Sequence, residues 1–255
     1  MERAAICVGI DPHPGLLESW NLPTTAGGLE IFSHKVLESL GERVAWFKPQ
    51  SAFFEAYGSK GIQVLERVLQ EIRACGARSI LDAKRGDIGS TMTAYAQAYL
   101  ADDAPLRADA LTLSPYLGFD SLKPALDLAE STKRTVFVLA RTSNPEGGSI
   151  QLANAGGKSV AQAIVDSAQA WNDAHGSKTV GLVVGATHAD IGVDLTSFSG
   201  PILAPGIGAQ GATMADIPVR FGSAAGNVLP MVGRAILGGG PELSGLRDAL
   251  EKFQN

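Results

Sequence analysis

The sequence predicts an α/β protein folded as a single (β/α)₈ barrel, and three observations favour this fold class. The chain has 255 residues, close to the roughly 250 residues typical of one such barrel. Short apolar runs recur along the sequence, and a stretch with helical periodicity follows each of them. Hydrophobic residues make up 45% of the chain and charged residues 18%, which is enough apolar surface for a large core. We therefore expect residues 1–255 to form one domain.

Eight of the apolar runs end in polar residues, glycine or proline, as buried parallel strands do. The predicted strands are Ile6–Ile10, Val44–Phe47, Ser79–Ala83, Ala108–Leu113, Thr135–Ala140, Val180–Val184, Ile202–Ala204 and Asn227–Val232. Between them lie amphipathic stretches such as Gly61–Ala74, where apolar residues recur at helical spacing. An open, doubly wound sheet would show the same alternation, but eight βα units favour a closed barrel. The long connection over residues 141–158 is predicted to be an irregular active-site loop.

Charge and composition argue against several classes of protein. The formal net charge of −5 and the pI near 5.4 leave no diffuse basic surface, so no nucleic-acid partner is expected. Cys7 and Cys75 lack metal-ligand spacing and are expected to be buried thiols, and the four histidines are scattered, so no metal site is predicted. The apolar run near the first residue is too short for a signal peptide or membrane span, which predicts a cytoplasmic protein without membrane partners.

Ionisable residues follow the first three predicted strands, at the end of a barrel where active sites lie. The first strand ends in Asp11, the second in Lys48, and the third in a segment with Asp82, Lys84 and Asp87. Because side chains alternate along a strand, Asp82 and Lys84 are expected to point the same way, toward the barrel mouth. One Lys-Asp couple would be more typical of a structural ion pair, but this clustering favours catalysis. Carboxylates on both sides favour the ammonium form of Lys84, which disfavours Schiff-base chemistry.

A phosphate site is predicted after the last two strands. Residues 204–211, with the sequence APGIGAQG, form a glycine-rich turn whose backbone amides can approach a phosphate closely. The final strand leads into Gly233 and Arg234, and the guanidinium offers a fork of donors for a phosphate dianion. The loops after strands seven and eight form the usual phosphate corner of such barrels, so the turn and Arg234 are expected to bind one phosphate.

The segment Leu81–Thr91, with the sequence LDAKRGDIGST, resembles a motif of the bacterial branch of the orotidine 5′-phosphate decarboxylase family. The likeness continues through residues 9–12, 47–50, 112–118, 204–211 and 233–236, and so spans nearly the whole chain. It implies a (β/α)₈ barrel and a carboxy-lyase that needs neither metal nor cofactor. The implied reaction converts orotidine 5′-phosphate to uridine 5′-phosphate (UMP) and CO₂ in pyrimidine biosynthesis.

The resemblance also implies roles for the residues that match the motifs. Asp82 and Lys84 would flank the reacting pyrimidine carbon, and Lys84 would stabilise and then protonate the C6 carbanion. Lys48 and Asp11 would contact the ribose hydroxyls. Ser114 would face the amide group of the pyrimidine.

Two further groups of residues are implied in the same way. Gln210 and Arg234 would hold the phosphate, with Gly233 beside them. Asp87 would be a further catalytic residue. It would reach, together with Thr91, into the site of a partner subunit. The resemblance therefore implies a homodimer with two composite active sites.

Two other functions remain open at this point. A magnesium-dependent decarboxylase of a sugar phosphate would share the Asp-x-Lys-x-x-Asp pattern, but Lys48 places positive charge where the metal ion would bind. A barrel that binds a nucleotide or phosphosugar without catalysis would keep the phosphate site and leave Lys84 without a task.

Overall fold

The computed structural model of the chain describes residues 3–254, and it contains ten strands. They are β1 (Ala4–Ile10), β2 (Val44–Pro49), β3 (Arg78–Arg85), β4 (Ala110–Leu113), β5 (Thr135–Arg141), β6 (Asn154–Ala155), β7 (Lys158–Ser159), β8 (Val180–Val184), β9 (Ile202–Ile207) and β10 (Val228–Val232). Eight of them close into a barrel in the order β1-β10-β9-β8-β5-β4-β3-β2, while β6 and β7 pair as a separate hairpin. The predicted barrel is confirmed, and each predicted strand overlaps a barrel strand.

Helices lie between most of the barrel strands. They are α1 (Pro14–Ser19), α2 (Ala26–Leu40), α3 (Ser51–Glu55), α4 (Gly58–Ala74), α5 (Gly89–Leu100), α6 (Lys123–Ser131), α7 (Gly148–Gln151), α8 (Val160–His175), α9 (Asp216–Phe221), α10 (Arg234–Leu237) and α11 (Leu243–Glu251). Short 3₁₀ turns cover residues 119–122, 145–147 and 222–227. None of the helices in the described range is long and apolar enough to cross a membrane.

Local sequence explains where the longer helices begin and end. The Thr25 side chain accepts a hydrogen bond from the Gly28 amide at the start of α2, and Ser159 does the same for the Gln162 amide at the start of α8. Helix α8 ends at Gly176, which has the left-handed φ of 60° that favours glycine. These caps satisfy backbone groups at the helix ends that have no partner within the helix.

The contacts divide the described chain into two compact units. The first unit comprises the described residues up to Ala83 and from Val232 onward, and its largest buried side chains include Phe32, Phe47 and Phe54. The second unit comprises Lys84–Met231, where β4, β5, β8 and β9 pair in parallel. The prediction of one domain over residues 1–255 stays a prediction.

Two connections differ from the sequence-based expectation. The loop over residues 141–158 is not irregular throughout, because it contains the one-turn helix α7 and the hairpin formed by β6 and β7. The connection at residues 185–201, between β8 and β9, contains no helix or strand. The expectation of a helical stretch after every strand is therefore wrong for β8.

Candidate active site

In the first unit, a lysine and two carboxylates meet at the carboxyl ends of β1, β2 and β3. The Lys48 ammonium lies 2.7 Å from Oδ2 of Asp82 and 3.9 Å from Oδ1 of Asp11. The register explains this meeting, since Lys48 pairs with Gly9 across β1 and β2, and an isolated bridge joins Gln50 to Asp82. The predicted association of Asp11, Lys48 and Asp82 is confirmed.

Burial makes this cluster a fixed feature of the unit. Lys48 is 4% exposed and Asp82 is 7% exposed. Burial has the largest effect and by itself lowers the pKa of Lys48, but Asp82 and Asp11 more than offset it, so the pKa lies above its ordinary value. Burial also raises the pKa of the neighbouring Cys7 thiol, against a smaller opposite effect of Lys48. Lys48 is therefore a permanent cation at neutral pH, and Cys7 is a protonated core thiol.

Gln50 is a member of the cluster to which sequence analysis gave no role. Its side-chain amide donates to Oδ2 of Asp82 at 3.0 Å, so the same carboxylate oxygen accepts from Lys48 and Gln50. Its spacing was the available signal, because Gln50 comes two residues after Lys48 and directly follows the end of β2. The two donors fix the orientation of the Asp82 carboxylate.

Lys84 follows Asp82 by two residues near the end of β3, but its backbone breaks the strand geometry. It has φ of 48°, in the left-handed region that a lysine rarely adopts, and its side chain is exposed. Lys84 therefore departs from regular strand geometry within β3. That Asp82 and Lys84 point the same way, toward the barrel mouth, stays a prediction. The Lys84 amide donates to Oγ1 of Thr112 on β4 at 2.9 Å.

The other predicted residues of the second unit lie in loops and at helix starts. Asp87 is half-buried, and its Oδ1 accepts from the Ile88 amide at 2.8 Å. Thr91 is exposed in the first turn of α5. Ser114 is half-buried just after β4, and its amide donates to the Arg85 carbonyl at 2.7 Å.

The predicted phosphate residues fall in both units. In the second unit, the amides of Gly208, Gly211 and Ala212 donate to carbonyl groups of residues 206–212, so these three amides are already engaged at the glycine-rich turn. The exposed Gln210 lies in the same turn. In the first unit, the exposed Arg234 opens α10 directly after β10, with Gly233 as the N-cap residue.

A partly buried polar network fastens the loop that follows β5. Arg141 is 6% exposed and donates to Oε1 of Gln151 at 3.1 Å, and that oxygen also accepts from the Thr142 amide at 3.1 Å. The Gln151 amide group donates back to Oγ1 of Thr142 at 2.8 Å. Nη2 of Arg141 lies 3.4 Å from Nδ1 of His188. Nε2 of the same histidine lies 2.8 Å from the Thr142 carbonyl oxygen. Sequence analysis did not identify this network.

Comparison with known proteins identifies the family. A sequence model described as "Orotidine 5′-phosphate decarboxylase / HUMPS family" matches residues 5–248. The chain belongs to this family. Orotidine 5′-phosphate decarboxylase of Streptomyces coelicolor is 54% identical over 254 residues, which cover 99% of this chain and 91% of the relative. The enzyme of the same name from Salinispora arenicola is 53% identical over 253 residues, covering 98% of this chain and 91% of the relative.

A solved structure agrees with the family assignment. The crystal structure of a candidate orotidine 5′-phosphate decarboxylase from Streptomyces avermitilis has a TM-score of 0.92 to this chain, at 52% identity. The match covers 99% of this chain and 89% of that one. The resemblance predicted from LDAKRGDIGST is therefore confirmed for the chain as a whole.

The carboxylates of Asp82 and Asp11 face the Lys48 ammonium, which disfavours a magnesium site between them. Lys48 already contacts Asp82 and lies near Asp11, so its ammonium occupies the space in which those carboxylates would hold a cation. Within residues 3–254, no group of three or more His, Cys, Asp or Glu side chains is arranged to hold a metal ion.

Proposed function

We propose that this protein decarboxylates orotidine 5′-phosphate to UMP and CO₂, the step that produces UMP in pyrimidine biosynthesis. Identity above 50% over nearly the full length of enzymes with that name carries the assignment. The charged residues at the strand ends support it, since a reaction that develops an anion needs fixed cations.

In the proposed reaction, the bond between C6 of the pyrimidine and its carboxylate breaks, and the electron pair stays on C6 while CO₂ leaves. The Lys84 ammonium stabilises that carbanion and then transfers a proton from Nζ to C6. A cation about 4 Å from the anion, at an effective dielectric of about 20, contributes roughly 4 kcal/mol. Enzymatic accelerations require about 8–23 kcal/mol. Lys84 must therefore act within a larger preorganised set of charges.

The cluster of the first unit supplies part of that set. Lys48 is held by Asp82 and lies near Asp11, and both Lys48 and Asp82 are buried, so little reorganisation is needed when substrate binds. We assign Lys48 and Asp11 to the ribose hydroxyls, and Asp82 to the face of the reacting carbon. Ser114 is assigned to the pyrimidine amide.

Phosphate binding is assigned to side chains more than to backbone amides. The turn at residues 204–211 already uses several of its amides internally, which leaves Gln210 and Arg234 as the main proposed donors, with Gly233 beside them. Binding energy from the remote phosphate can then lower the barrier at C6 if it is expressed in the transition state.

We also propose a homodimer in which Asp87 and Thr91 contribute to the site of the partner subunit. Support comes from large apolar side chains exposed near these residues in sequence and in the loop after β4. Ile88 is 62% exposed, Tyr116 80% and Leu117 54%. Light scattering on the purified protein would test this, and a monomer at micromolar concentration would contradict it. The cytoplasmic location stays a prediction.

A spectrophotometric assay tests the proposed function. Purified protein is mixed with orotidine 5′-phosphate in buffer containing EDTA, and the ultraviolet absorbance is followed until it stops changing. We expect conversion to the spectrum of UMP at a rate that EDTA does not reduce. Binding without spectral change would identify a non-catalytic sensor, and activity restored only by Mg²⁺ would identify a metal-dependent enzyme. Either result would overturn the proposal.

A further inference from the structure

The backbone of Lys84 is held in a conformation that its own residue type disfavours. A left-handed φ of 48° brings the Cβ of an L-residue too close to the following carbonyl, so the surrounding structure must maintain it. Lys84 is exposed, so burial of its side chain is not what fixes this conformation. Contacts of the Lys84 backbone with neighbouring residues contribute to holding it.

One such contact comes from the hydroxyl of Thr112 on β4. Oγ1 of Thr112 accepts a hydrogen bond from the Lys84 amide at 2.9 Å. Thr112 is 1% exposed, and its position is fixed because β4 pairs with β5 through Thr112 and Phe137. The acceptor therefore sits on a rigid, buried strand and not on a flexible loop.

The residue that follows β4 also holds the chain directly after Lys84. The Ser114 amide donates to the Arg85 carbonyl at 2.7 Å. Gly86 then passes so close to Ser114 that a Cβ at Gly86 would lie 2.3 Å from the Ser114 carbonyl oxygen. Thr112 on β4 accepts from the Lys84 amide, and Ser114 just after β4 donates to the carbonyl of the next residue, Arg85, so the two hydrogen bonds lie on either side of the Lys84 side chain.

We propose that Thr112 is a positioning residue for Lys84: its hydroxyl holds the Lys84 backbone in the left-handed conformation that directs the ammonium group to the reacting carbon. This inference rests on the proposed function, because it assigns the purpose of the contact to decarboxylation. Thr112 itself is not expected to touch the substrate. Its contribution is to fix the position of the Lys84 backbone, from which the side chain extends.

The test compares three variants with the wild-type protein in the decarboxylation assay. Thr112→Val removes the hydroxyl at nearly constant volume, and Thr112→Ser keeps it. Thr179→Val makes the same change at a buried threonine beside β8, a residue with no assigned role in the site. Melting temperature and circular dichroism confirm that each variant is folded.

We expect kcat to fall about ten- to a hundredfold in Thr112→Val, because small displacements of a reacting group cost rates of that order. KM should change by less than about threefold, since the lost contact serves the transition state more than substrate binding. Thr112→Ser should restore kcat to within about threefold of wild type, because one hydroxyl contact is preserved. Thr179→Val should leave kcat unchanged.

Each other outcome has a distinct meaning. Wild-type kcat in folded Thr112→Val, or a kcat loss that Thr112→Ser shares, would overturn the positioning role and leave the proposed function intact. An inactive wild-type protein would overturn both. If Thr112→Val does not fold, Thr112→Ala is measured in the same way, and the same comparison with Thr112→Ser decides.

Discussion

The ammonium nitrogen of Lys48 lies 2.7 Å from Oδ2 of Asp82, and the two side chains are 5% and 8% exposed. The pair is therefore a hydrogen-bonded ion pair in the interior of the first unit. Gln50 donates to the same oxygen. Removing one member of such a buried pair lowers the stability of the fold, because the other member is left as a buried charge without its counter-ion.

Replacing Lys48 by Met should destabilise the protein by about 3–5 kcal/mol, because Asp82 would be left buried without its cation. The free energy of unfolding, measured by urea denaturation, checks this value. Lys123→Met is the matched control, since Lys123 forms an exposed pair with Asp127, and its effect should stay within about 0.5 kcal/mol. Equal effects of the two substitutions would contradict the assignment of Lys48.

The same pair has a defined pH dependence. The folded-state pKa of Lys48 is raised above its ordinary value, so its stabilisation is fully present below the unfolded pKa of about 10.4 and is lost only as pH rises through the folded value. Lys48 therefore stays protonated between about pH 6 and 9. Its titration should not change the difference in unfolding free energy between wild type and Lys48→Met across that range. A steady decline across that range would show that Lys48 is losing its proton.

Gly86→Ala should reduce both stability and kcat. The added Cβ would meet the Ser114 carbonyl oxygen at 2.3 Å, so the end of β3 must move away from β4 and carry Lys84 with it. Gly226→Ala is the control, because a Cβ there meets no atom within 4 Å, and it should be neutral or slightly stabilising. Unfolding and steady-state kinetics measure both effects. Wild-type behaviour of Gly86→Ala would show that this close approach is unimportant.

Gln151→Ala should loosen the loop at residues 142–158. The substitution removes the acceptor shared by Arg141 and Thr142 as well as the donor to the Thr142 hydroxyl. Hydrogen–deuterium exchange should accelerate in that loop and stay unchanged elsewhere in the second unit. Gln70→Ala removes an exposed contact to Glu66 on the same helix and serves as the control. Unaltered exchange in the loop would mean that other contacts hold it.

The two cysteines should differ in reactivity toward a thiol reagent. Cys7 is fully buried, and burial raises its pKa, so it presents little thiolate to solvent. Cys75 is partly exposed, so the expectation that it would be a buried thiol is wrong. In folded protein, mass spectrometry after alkylation should find label on Cys75 first, and label on Cys7 only after denaturation. Cys75→Ser should abolish rapid labelling, whereas rapid labelling of Cys7 would contradict the burial of β1.

The sequence was sufficient to predict the barrel and the charge cluster of the first unit. Continuous apolar runs mark buried parallel strands, and the ends of neighbouring parallel strands meet, so the strand pattern alone groups Asp11, Lys48 and Asp82. Gln50 was missed because a side chain just beyond a strand end has no periodicity to place it.

The remaining features depend on tertiary contacts or on weaker local signals. The left-handed backbone of Lys84 is stabilised by Thr112 on another strand, which no pattern within β3 could show. The hairpin formed by β6 and β7 did have a local signal in the sequence. Two consecutive glycines, Gly156 and Gly157, are typical of a two-residue hairpin turn, and both adopt positive φ there. The amides of Gly208, Gly211 and Ala212 donate to carbonyl groups of residues 206–212, which depends on how the turn closes and not on its glycine content.

The most direct test of the proposed chemistry is the kcat of Lys84→Ala for decarboxylation of orotidine 5′-phosphate. Lys133→Ala is a matched control, because Lys133 is an exposed lysine of the same unit with a similar left-handed φ of 55°. We predict that Lys84→Ala folds with a wild-type melting temperature and loses at least about a thousandfold in kcat, while Lys133→Ala keeps wild-type activity. A folded Lys84→Ala variant with near-normal kcat would contradict the assignment of Lys84 as the cation and proton donor.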